Sequence, residues 1–221
     1  MILTEYFTFN LFQERCSLVW DSEGNCAIID PGFSTPEEKN ELYSFIQSRN
    51  LNVKAVLLTH GHFDHIYGVA EAAGDFGVPV YMHPADEVII KEANPTLCNV
   101  YGLVIPTEFE SAIPVKEGDV IEVGSLRFEV IETPGHTPGG VCYLERNEKI
   151  LFSGDTLFAG CIGRTDNQWA DYDALMSGIF TKLMELDGDI TVIPGHGPET
   201  SIATERTTNP FLMPFNEPFE G

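Results

Sequence analysis

The chain has 221 residues, of which 43% are hydrophobic and 21% charged, and its 34 acidic side chains outnumber its 12 Lys and Arg to give a net charge of −22. This length and composition are typical of one globular domain with a sizeable core, so we expect residues 1–221 to form a single domain. The negative charge and the lack of a basic run argue against nucleic acid as a partner, because phosphate backbones are repelled by such a surface.

Membrane insertion and disulfide bonding are also disfavoured. No apolar stretch approaches the roughly 18 residues that a bilayer-spanning helix needs, and residues 1–12 have no basic start. We therefore expect a cytoplasmic protein without membrane contact. The five cysteines are odd in number and show no C-x-x-C spacing, so we expect reduced thiols packed as small hydrophobes. The pattern leaves the role of Cys161 open.

The first part of the chain alternates between predicted strands and helices. Thr35 and Pro36, followed by two acids, predict a capped helix that continues to Arg49. Short apolar runs predict strands, and a helical period of apolar residues predicts helices. The predicted elements in chain order are strands at 2–9, 16–20 and 25–29, a helix at 36–49, a strand at 55–59, a helix at 66–76, a strand at 78–82 and a helix at 84–93.

Residues 94–118 contain three prolines without a clear period, so we expect a surface excursion that helps to shape a pocket. Beyond it, the predicted elements are strands at 120–123, 126–132, 141–144 and 150–152, a helix at 172–185 and a strand at 190–193. The tail at 209–221 is rich in Pro and Phe, and we expect it to lie extended over an apolar groove or to fray. This alternation of strands and helices predicts the α/β class.

Three of the six histidines lie in the segment 59–65 (THGHFDH), directly after a predicted buried strand. Side chains two residues apart in an extended segment point the same way, so His60 and His62 can bind one metal ion. Gly61 permits the turn that follows, and Asp64 and His65 then face a second position nearby. The aspartate adds an oxygen ligand that helps to neutralise a second cation.

Two further histidines and one aspartate lie in loops that follow predicted strands. His136 lies in TPGHTPGG, His196 in PGHGP, and Asp155 ends the strand in FSGDT, where it can bridge two cations. A lone histidine in a Gly-Pro loop is more often solvated or capped than a ligand, but five histidines and two aspartates together favour a metal site. The sixth histidine, His83, ends a strand before a helix, and we assign it a structural role.

These motifs resemble the metallo-β-lactamase superfamily over nearly the whole chain. THGHFDH, TPGHTPGG, SGDTLF and GRTD (163–166) resemble the glyoxalase II-like, or hydroxyacylglutathione hydrolase-like, branch, and PGHGP and NPFL (209–212) resemble its short single-domain members. The resemblance implies a four-layer αβ/βα sandwich with two divalent metal ions at one edge between two sheets. It implies that Asp155 bridges two ligand sets: His60, His62 and His136 for the first ion, and Asp64, His65 and His196 for the second.

The resemblance implies a metal-dependent thioesterase that hydrolyses S-lactoylglutathione, or a related acyl thiol, through a metal-bridging hydroxide. Zn²⁺ is the expected metal, although Fe and Mn also accept mixed imidazole and carboxylate ligands. We predict that Asp64 and Asp155 are catalytic, since they flank the hydroxide that the metals would activate. Asp64 also separates this motif from that of class B β-lactamases, which argues against antibiotic hydrolysis.

Three points stay open in the sequence. Glyoxalase II supplies basic residues for the glutathione carboxylates from a helical C-terminal segment that has no match here. Arg164 is the nearby cation; it is a candidate substrate residue, and a loop-fixing ion pair with Asp166 explains it equally well. The alternatives to a thioesterase are a persulfide dioxygenase with one iron, whose branch shares H-x-H-x-D-H and GRTD, and a metal-binding protein without turnover.

Overall fold

Most strands of the protein belong to two six-stranded sheets in the computed structural model, which describes residues 2–101 and 112–213. The first sheet contains, in spatial order, β1 (Leu3–Phe9), β2 (Glu14–Trp20), β3 (Asn25–Ile29), β4 (Asn52–Leu57), β5 (Val80–Met82) and β6 (Ala112–Pro114). The second contains β14 (Thr200–Ser201), β13 (Thr191–Pro194), β10 (Ile150–Gly154), β9 (Val141–Glu145), β8 (Leu126–Glu132) and β7 (Val120–Val123). A short hairpin pairs β11 (Leu157–Phe158) with β12 (Cys161–Ile162).

The helices are short and lie between or after strands. They are α1 (Pro36–Ser48), α2 (Phe63–Ile66), α3 (Val69–Phe76), α4 (Asn94–Tyr101), α5 (Tyr172–Gly178) and α6 (Ile202–Thr208). A 3₁₀ turn at Pro84–Asp86 and π-helical turns at Ile89–Ala93 and Ile179–Leu183 extend this helical content. Within the described ranges, no helix has the length and apolar content needed to cross a bilayer.

Three apolar clusters arrange these elements in four layers. The first packs α1 and α3 on one face of the first sheet, where Leu42 and Val69 are fully buried. The second fills the space between the sheets, with Leu57 from the first and Phe128 from the second. The third packs α5 and α6 on the far face of the second sheet. The αβ/βα sandwich expected from the sequence is confirmed.

Several predicted elements match the structure closely. The strands at 25–29, 120–123 and 126–132 have the predicted bounds. Helix α1 begins with a capping box, in which Thr35 Oγ1 accepts from Glu38 N and the Glu38 carboxylate accepts from Thr35 N. The cap satisfies two backbone N–H groups that a helix start leaves without partners, which is why the sequence signal was reliable.

The helix predicted at 66–76 is wrong as a single element, because Gly68 separates α2 from α3. Gly68 N–H donates to the Pro31 carbonyl at 2.8 Å rather than to the preceding helical turn. A Cβ on Gly68 would lie 2.4 Å from the Phe33 ring, so only glycine permits this close approach. The break lets α2 stay at the end of β4, where it carries Asp64 and His65.

The expectation of an irregular excursion at 94–118 is also wrong in part. Helix α4 occupies its start and strand β6 lies near its end, while residues 102–111 lie outside the described ranges. The wide π turn at Ile89–Ala93 precedes Pro95, whose missing N–H would interrupt an α-helical ladder. Pro114 lies on β6, an edge strand, where proline is tolerated.

The C-terminal region differs from its prediction as well. Helix α6, capped by Ser201, whose Oγ accepts from Thr204 N, was not predicted, and the helix expected at 172–185 is α5 followed by a π turn. In the predicted tail, Asn209 and Leu212 are buried, so the described start of this segment packs onto the fold. Residues 214–221 lie outside the described ranges.

A buried acid, Asp21, joins the turn after β2 to the turn between β7 and β8. Its carboxylate accepts from the backbone N–H groups of Glu23 at 3.0 Å, Asn25 at 2.9 Å and Ser125 at 2.9 Å. Burial alone would raise the pKa of Asp21, but these hydrogen bonds lower it to about 2 from an ordinary 3.8. The stability that this carboxylate contributes is therefore full above about pH 5 and is lost as the pH falls through 2.

We expect Asp21→Asn to lower the free energy of unfolding by about 2 kcal/mol at pH 7, since a shift of roughly two pKa units corresponds to that energy. The difference from wild type should shrink toward zero near pH 2, where the wild-type carboxyl also becomes protonated. Urea unfolding of both proteins at pH 7, 4 and 2.5 measures it. A stability difference that stays constant over this range would contradict the proposed role of the charge.

Candidate metal centre

The candidate site lies where strands of both sheets end at one edge of the sandwich. Asp30 follows β3, the histidine-rich segment follows β4, and His136 lies in the loop after β8. Asp155 follows β10 and His196 follows β13. Parallel pairing of β3 with β4, and of β10 with β13, brings the carboxyl ends of these strands side by side.

The first group of ligand atoms belongs to His60, His62 and His136, which lie within 4.8 Å of one another. His136 donates its Nδ1–H to the Arg164 carbonyl at 2.8 Å, and His60 Nδ1 lies 3.1 Å from Thr59 Oγ1. These contacts direct Nε2 of both rings into the site. Within the described part of the chain, the two Nε2 atoms are buried and have no hydrogen-bond partner.

The second group belongs to Asp64, His65 and His196, whose ligand atoms also lie within 4.8 Å of one another. His196 Nδ1 lies 3.0 Å from the Phe12 carbonyl, which leaves Nε2 facing the site. That Nε2 lies 3.2 Å from His65 Nε2 and 3.3 Å from Asp64 Oδ2. Three potential ligand atoms therefore converge on one point beside the first group.

Asp155 lies between the two groups. Its Oδ2 is 3.4 Å from His136 Nε2 and 3.7 Å from His196 Nε2, and its Oδ1 is 3.5 Å from His65 Nε2. Oδ1 is buried and makes no hydrogen bond to any described residue. One carboxylate thus faces both histidine groups at once.

The electrostatics of the site suit cations. Burial holds the pKa of His60 well below its ordinary value and lowers that of His62 to about 3, so both imidazoles are neutral at pH 7 with their lone pairs available. Burial opposes ionisation of Asp64 and Asp155, yet the adjacent His65 lowers the pKa of both carboxyls. Against the effect of burial, the same carboxylates raise the pKa of His65 and His196, so this half of the site favours positive charge. Neutral imidazoles at His60 and His62, anionic carboxylates and unpartnered buried atoms together fit divalent metal ions of the imidazole and carboxylate type.

Asp30 orients two of these histidines, and sequence reasoning missed it. Its Oδ2 accepts from His65 Nδ1 at 3.0 Å and from Thr59 Oγ1 at 2.5 Å, and its Oδ1 accepts from Thr59 N at 2.8 Å. Because the Thr59 hydroxyl gives its proton to Asp30, Thr59 Oγ1 accepts from His60 Nδ1–H. This chain fixes both rings with Nε2 toward the site. An acid directly after a buried strand, before Pro31, was the available signal.

Asp86 was also missed, and it joins the two loops that carry the first histidine group. Its buried carboxylate accepts from Gly61 N at 2.7 Å, Thr137 Oγ1 at 2.8 Å and Gly139 N at 2.5 Å. A Cβ on Gly139 would lie 2.8 Å from the backbone N of Asp86, so glycine is required for this approach. Asp86 therefore fixes the positions of the two loops that carry His62 and His136 relative to each other.

We expect Asp86→Ala to weaken metal binding by roughly 10- to 100-fold, the usual effect of removing a group that supports ligands. Its three donors would be left buried without an acceptor, so the free energy of unfolding should also fall. Isothermal titration with Zn²⁺ on folded protein measures the affinity, and Glu87→Ala, an exposed neighbour paired with Lys91, is the matched control. An unchanged Zn²⁺ affinity in Asp86→Ala would refute the positioning role.

The remaining sequence candidates lie beside the centre or away from it. His83 is not brought to the site; its Nε2 lies 3.1 Å from Glu132 Oε1 and its Nδ1 accepts from Ala85 N. Arg164 forms a bidentate pair with Asp166, with N···O distances of 3.1 and 2.8 Å, and also lines the cavity above the centre. Cys161 is an exposed thiol on the wall of that cavity, and the other four cysteines are buried thiols.

The cavity has a volume of about 560 Å³ and opens directly onto both groups of ligand atoms. Its floor contains five of the seven candidate ligands: His62, Asp64, His136, Asp155 and His196. A cavity of this size, in the usual range of roughly 300–1,000 Å³, accommodates a small-molecule substrate.

Comparisons with known proteins agree with this architecture. A family model described as the metallo-beta-lactamase superfamily matches residues 10–196. Hydroxyacylglutathione hydrolase GloC from Haemophilus influenzae is 39% identical over 212 residues, which span 94% of this chain and 97% of that relative.

Two solved structures share the fold across nearly the whole chain. The BLEG-1 B3 metallo-beta-lactamase superposes with a TM-score of 0.87 at 32% identity and covers 96% of this chain and 100% of that one. TTHA1623 in a di-iron-bound form superposes with a TM-score of 0.83 at 38% identity and covers 94% of this chain and 100% of that one.

Proposed function

The chain belongs to the metallo-beta-lactamase superfamily of metal-dependent hydrolases, and we propose that it is a dinuclear thioesterase of the glyoxalase II type. Its substrate is S-lactoylglutathione or a related acyl thioester. The observation that carries the proposal is the position of Asp155, whose two oxygens face both groups of histidines at 3.4–3.7 Å. The name of GloC, which matches this chain over most of both lengths, supports the thioester substrate.

The proposal assigns the seven side chains to two divalent ions, with Zn²⁺ as the expected metal. His60, His62 and His136 would hold the first ion, Asp64, His65 and His196 would hold the second, and Asp155 would be a ligand of both. When bound, such a pair supplies Lewis acidity toward a carbonyl oxygen and makes hydroxide available at neutral pH. The iron in TTHA1623 makes Fe a second candidate metal.

The protein side chains have defined tasks in this scheme. Asp30 and the Arg164 carbonyl fix the ring orientation of His65 and His136 through hydrogen bonds to Nδ1. The Asp64 carboxylate, 3.3 Å from His196 Nε2, is placed to orient the attacking oxygen nucleophile. Two ligand carboxylates offset part of the metal charge, so the site keeps a local positive potential within an acidic protein.

Two other activities are outcomes of the same test. BLEG-1 is named a B3 metallo-beta-lactamase, which makes β-lactam hydrolysis a candidate despite the presence of Asp64. A persulfide dioxygenase with one iron on two histidines and an aspartate is the other, because that branch shares the H-x-H-x-D-H motif found at 60–65. A protein that binds metal without turnover is the third outcome.

The test follows S-lactoylglutathione hydrolysis by loss of thioester absorbance, before chelation, after chelation and after Zn²⁺ or Fe²⁺ is restored. Parallel assays measure nitrocefin hydrolysis and oxygen consumption with glutathione persulfide. The proposal predicts thioester turnover that chelation abolishes and metal restores. Metal-dependent turnover of nitrocefin or of the persulfide alone, or no turnover of any substrate in metal-replete protein, would overturn it.

A further inference from the structure

The walls of the cavity above the metal centre are mostly apolar. Six large hydrophobic side chains line them: Phe12, Phe63, Leu97, Phe158, Ile162 and Trp169. Phe12 packs edge-on against Phe63 with ring centroids 5.0 Å apart, which fixes one wall. A group that extends from a thioester carbonyl at the metal centre must run along these walls to reach solvent.

A second part of the wall, the β11–β12 hairpin, is held by helix α6 and the residue that follows it. Gly160 N donates to the buried Glu205 carboxylate at 2.9 Å, and Asn209 Nδ2 donates to the Cys161 carbonyl at 3.0 Å. These contacts hold the β11–β12 hairpin, which carries Phe158 and Ile162. The apolar wall is therefore preformed rather than assembled around a ligand.

Cations are scarce along this cavity. All 12 Lys and Arg lie within the described ranges, because residues 102–111 and 214–221 contain neither type. Of these cations only Arg164 lines the described cavity, and its guanidinium is held by Asp166 in a bidentate pair. A free carboxylate placed against these walls would lose hydration without gaining an unshared Lys or Arg side chain.

This scarcity of cations affects which thiol carrier the cavity can bind. Glutathione carries two carboxylates at the ends of its tripeptide arm, and this arm extends from the sulfur along the cavity walls when the thioester carbonyl lies at the metal centre. Resting on the proposed thioesterase function, we propose that the cavity selects thioesters of an apolar thiol carrier without free carboxylates over the glutathione thioester of the same acyl group. The apolar walls bind the carrier by burial, worth roughly fourfold in kcat/KM for each added methylene.

The test compares S-butyrylglutathione with its diethyl ester, which keeps the same skeleton and thiol but blocks both carboxylates. The metal-loaded protein is assayed in 1 M KCl, where the Debye length is about 3 Å and the −22 net charge no longer acts at long range. We expect kcat/KM for the diethyl ester to exceed that for S-butyrylglutathione at least tenfold. Equal values, or a faster glutathione thioester, would overturn the inference.

Two lysine substitutions on α4 test whether an added cation in the cavity changes this substrate preference. Thr96 lines the cavity, whereas Asn99 is exposed on the same helix and does not line it. Thr96→Lys should reduce the preference for the diethyl ester at least threefold, and Asn99→Lys should leave it within twofold of wild type. Equal effects of the two variants would overturn the inference. Failure of the thioesterase proposal has a different signature, since neither thioester would then be hydrolysed above the chelated control.

Discussion

Asp155→Ala is expected to lower thioester turnover by roughly 1,000-fold, the scale of losing a principal electrostatic group at a reacting centre. The same change should reduce the bound metal from two ions per chain to one or fewer. Asp155 is the only one of the seven proposed ligands whose two oxygens face both histidine groups, at 3.4–3.7 Å. Its removal leaves His65, His136 and His196 without the anion that lies among them.

Metal content by plasma emission spectrometry and kcat by thioester absorbance measure the effect on the same preparations. Asp189→Ala is the control, because Asp189 is an exposed acid paired with Lys149 far from the site. Circular dichroism verifies that both variants fold. Full turnover or two tightly bound ions in Asp155→Ala would show that the assigned bridge is wrong.

Asp30→Asn is expected to lower metal affinity and kcat/KM by roughly 10- to 100-fold without removing any ligand. An asparagine has one acceptor oxygen, so it cannot accept from Thr59 N, Thr59 Oγ1 and His65 Nδ1 in the present arrangement. The His65 ring then loses the partner that holds its Nδ1 proton. The tautomer that directs Nε2 into the site is no longer favoured.

Asp21→Asn is a matched control for this prediction. Asp21 is as buried as Asp30, at 2% exposure each, and its loss should destabilise the fold while leaving the metal centre untouched. Zn²⁺ titration and urea unfolding of both variants separate the two effects. Equal Zn²⁺ affinity in the two variants would mean that Asp30 is structural only.

The local part of the site was predictable from the sequence. His60, His62, Asp64 and His65 lie in one segment after a buried strand, and both features have local signals in period and composition. The rings converge because a strand end and a short helix lie beside each other. Five histidines and two aspartates in strand-end loops could be grouped because so few other histidines compete for the assignment.

The supporting residues were not predictable, because their partners are distant in the chain. Asp30 contacts Thr59 across 29 positions, and Asp86 contacts Gly139 across 53. A single acid after a strand carries no periodic signal, and nothing local indicates which loop it will meet. Helices α4 and α6 were missed for a related reason, since short helices depend on packing more than on intrinsic propensity.

The role of Arg164 could be predicted only in part from the sequence. The sequence allowed either a substrate contact or an ion pair with Asp166, and the structure shows the ion pair on the wall of the cavity. Its carbonyl also orients His136, a backbone role that no side-chain motif could reveal. The sequence therefore predicted that Arg164 lies near the site, but it did not predict which of its groups acts there.

Titration of metal-free protein with Zn²⁺, in which bound metal and S-lactoylglutathione hydrolysis are followed together, tests the proposed dinuclear centre directly. A dinuclear thioesterase should show thioester turnover that rises with metal and reaches its plateau at two ions per chain, as the two ligand groups around Asp155 require. A plateau at one ion, or two bound ions without thioester turnover, would contradict the claim that this centre is a dinuclear thioesterase.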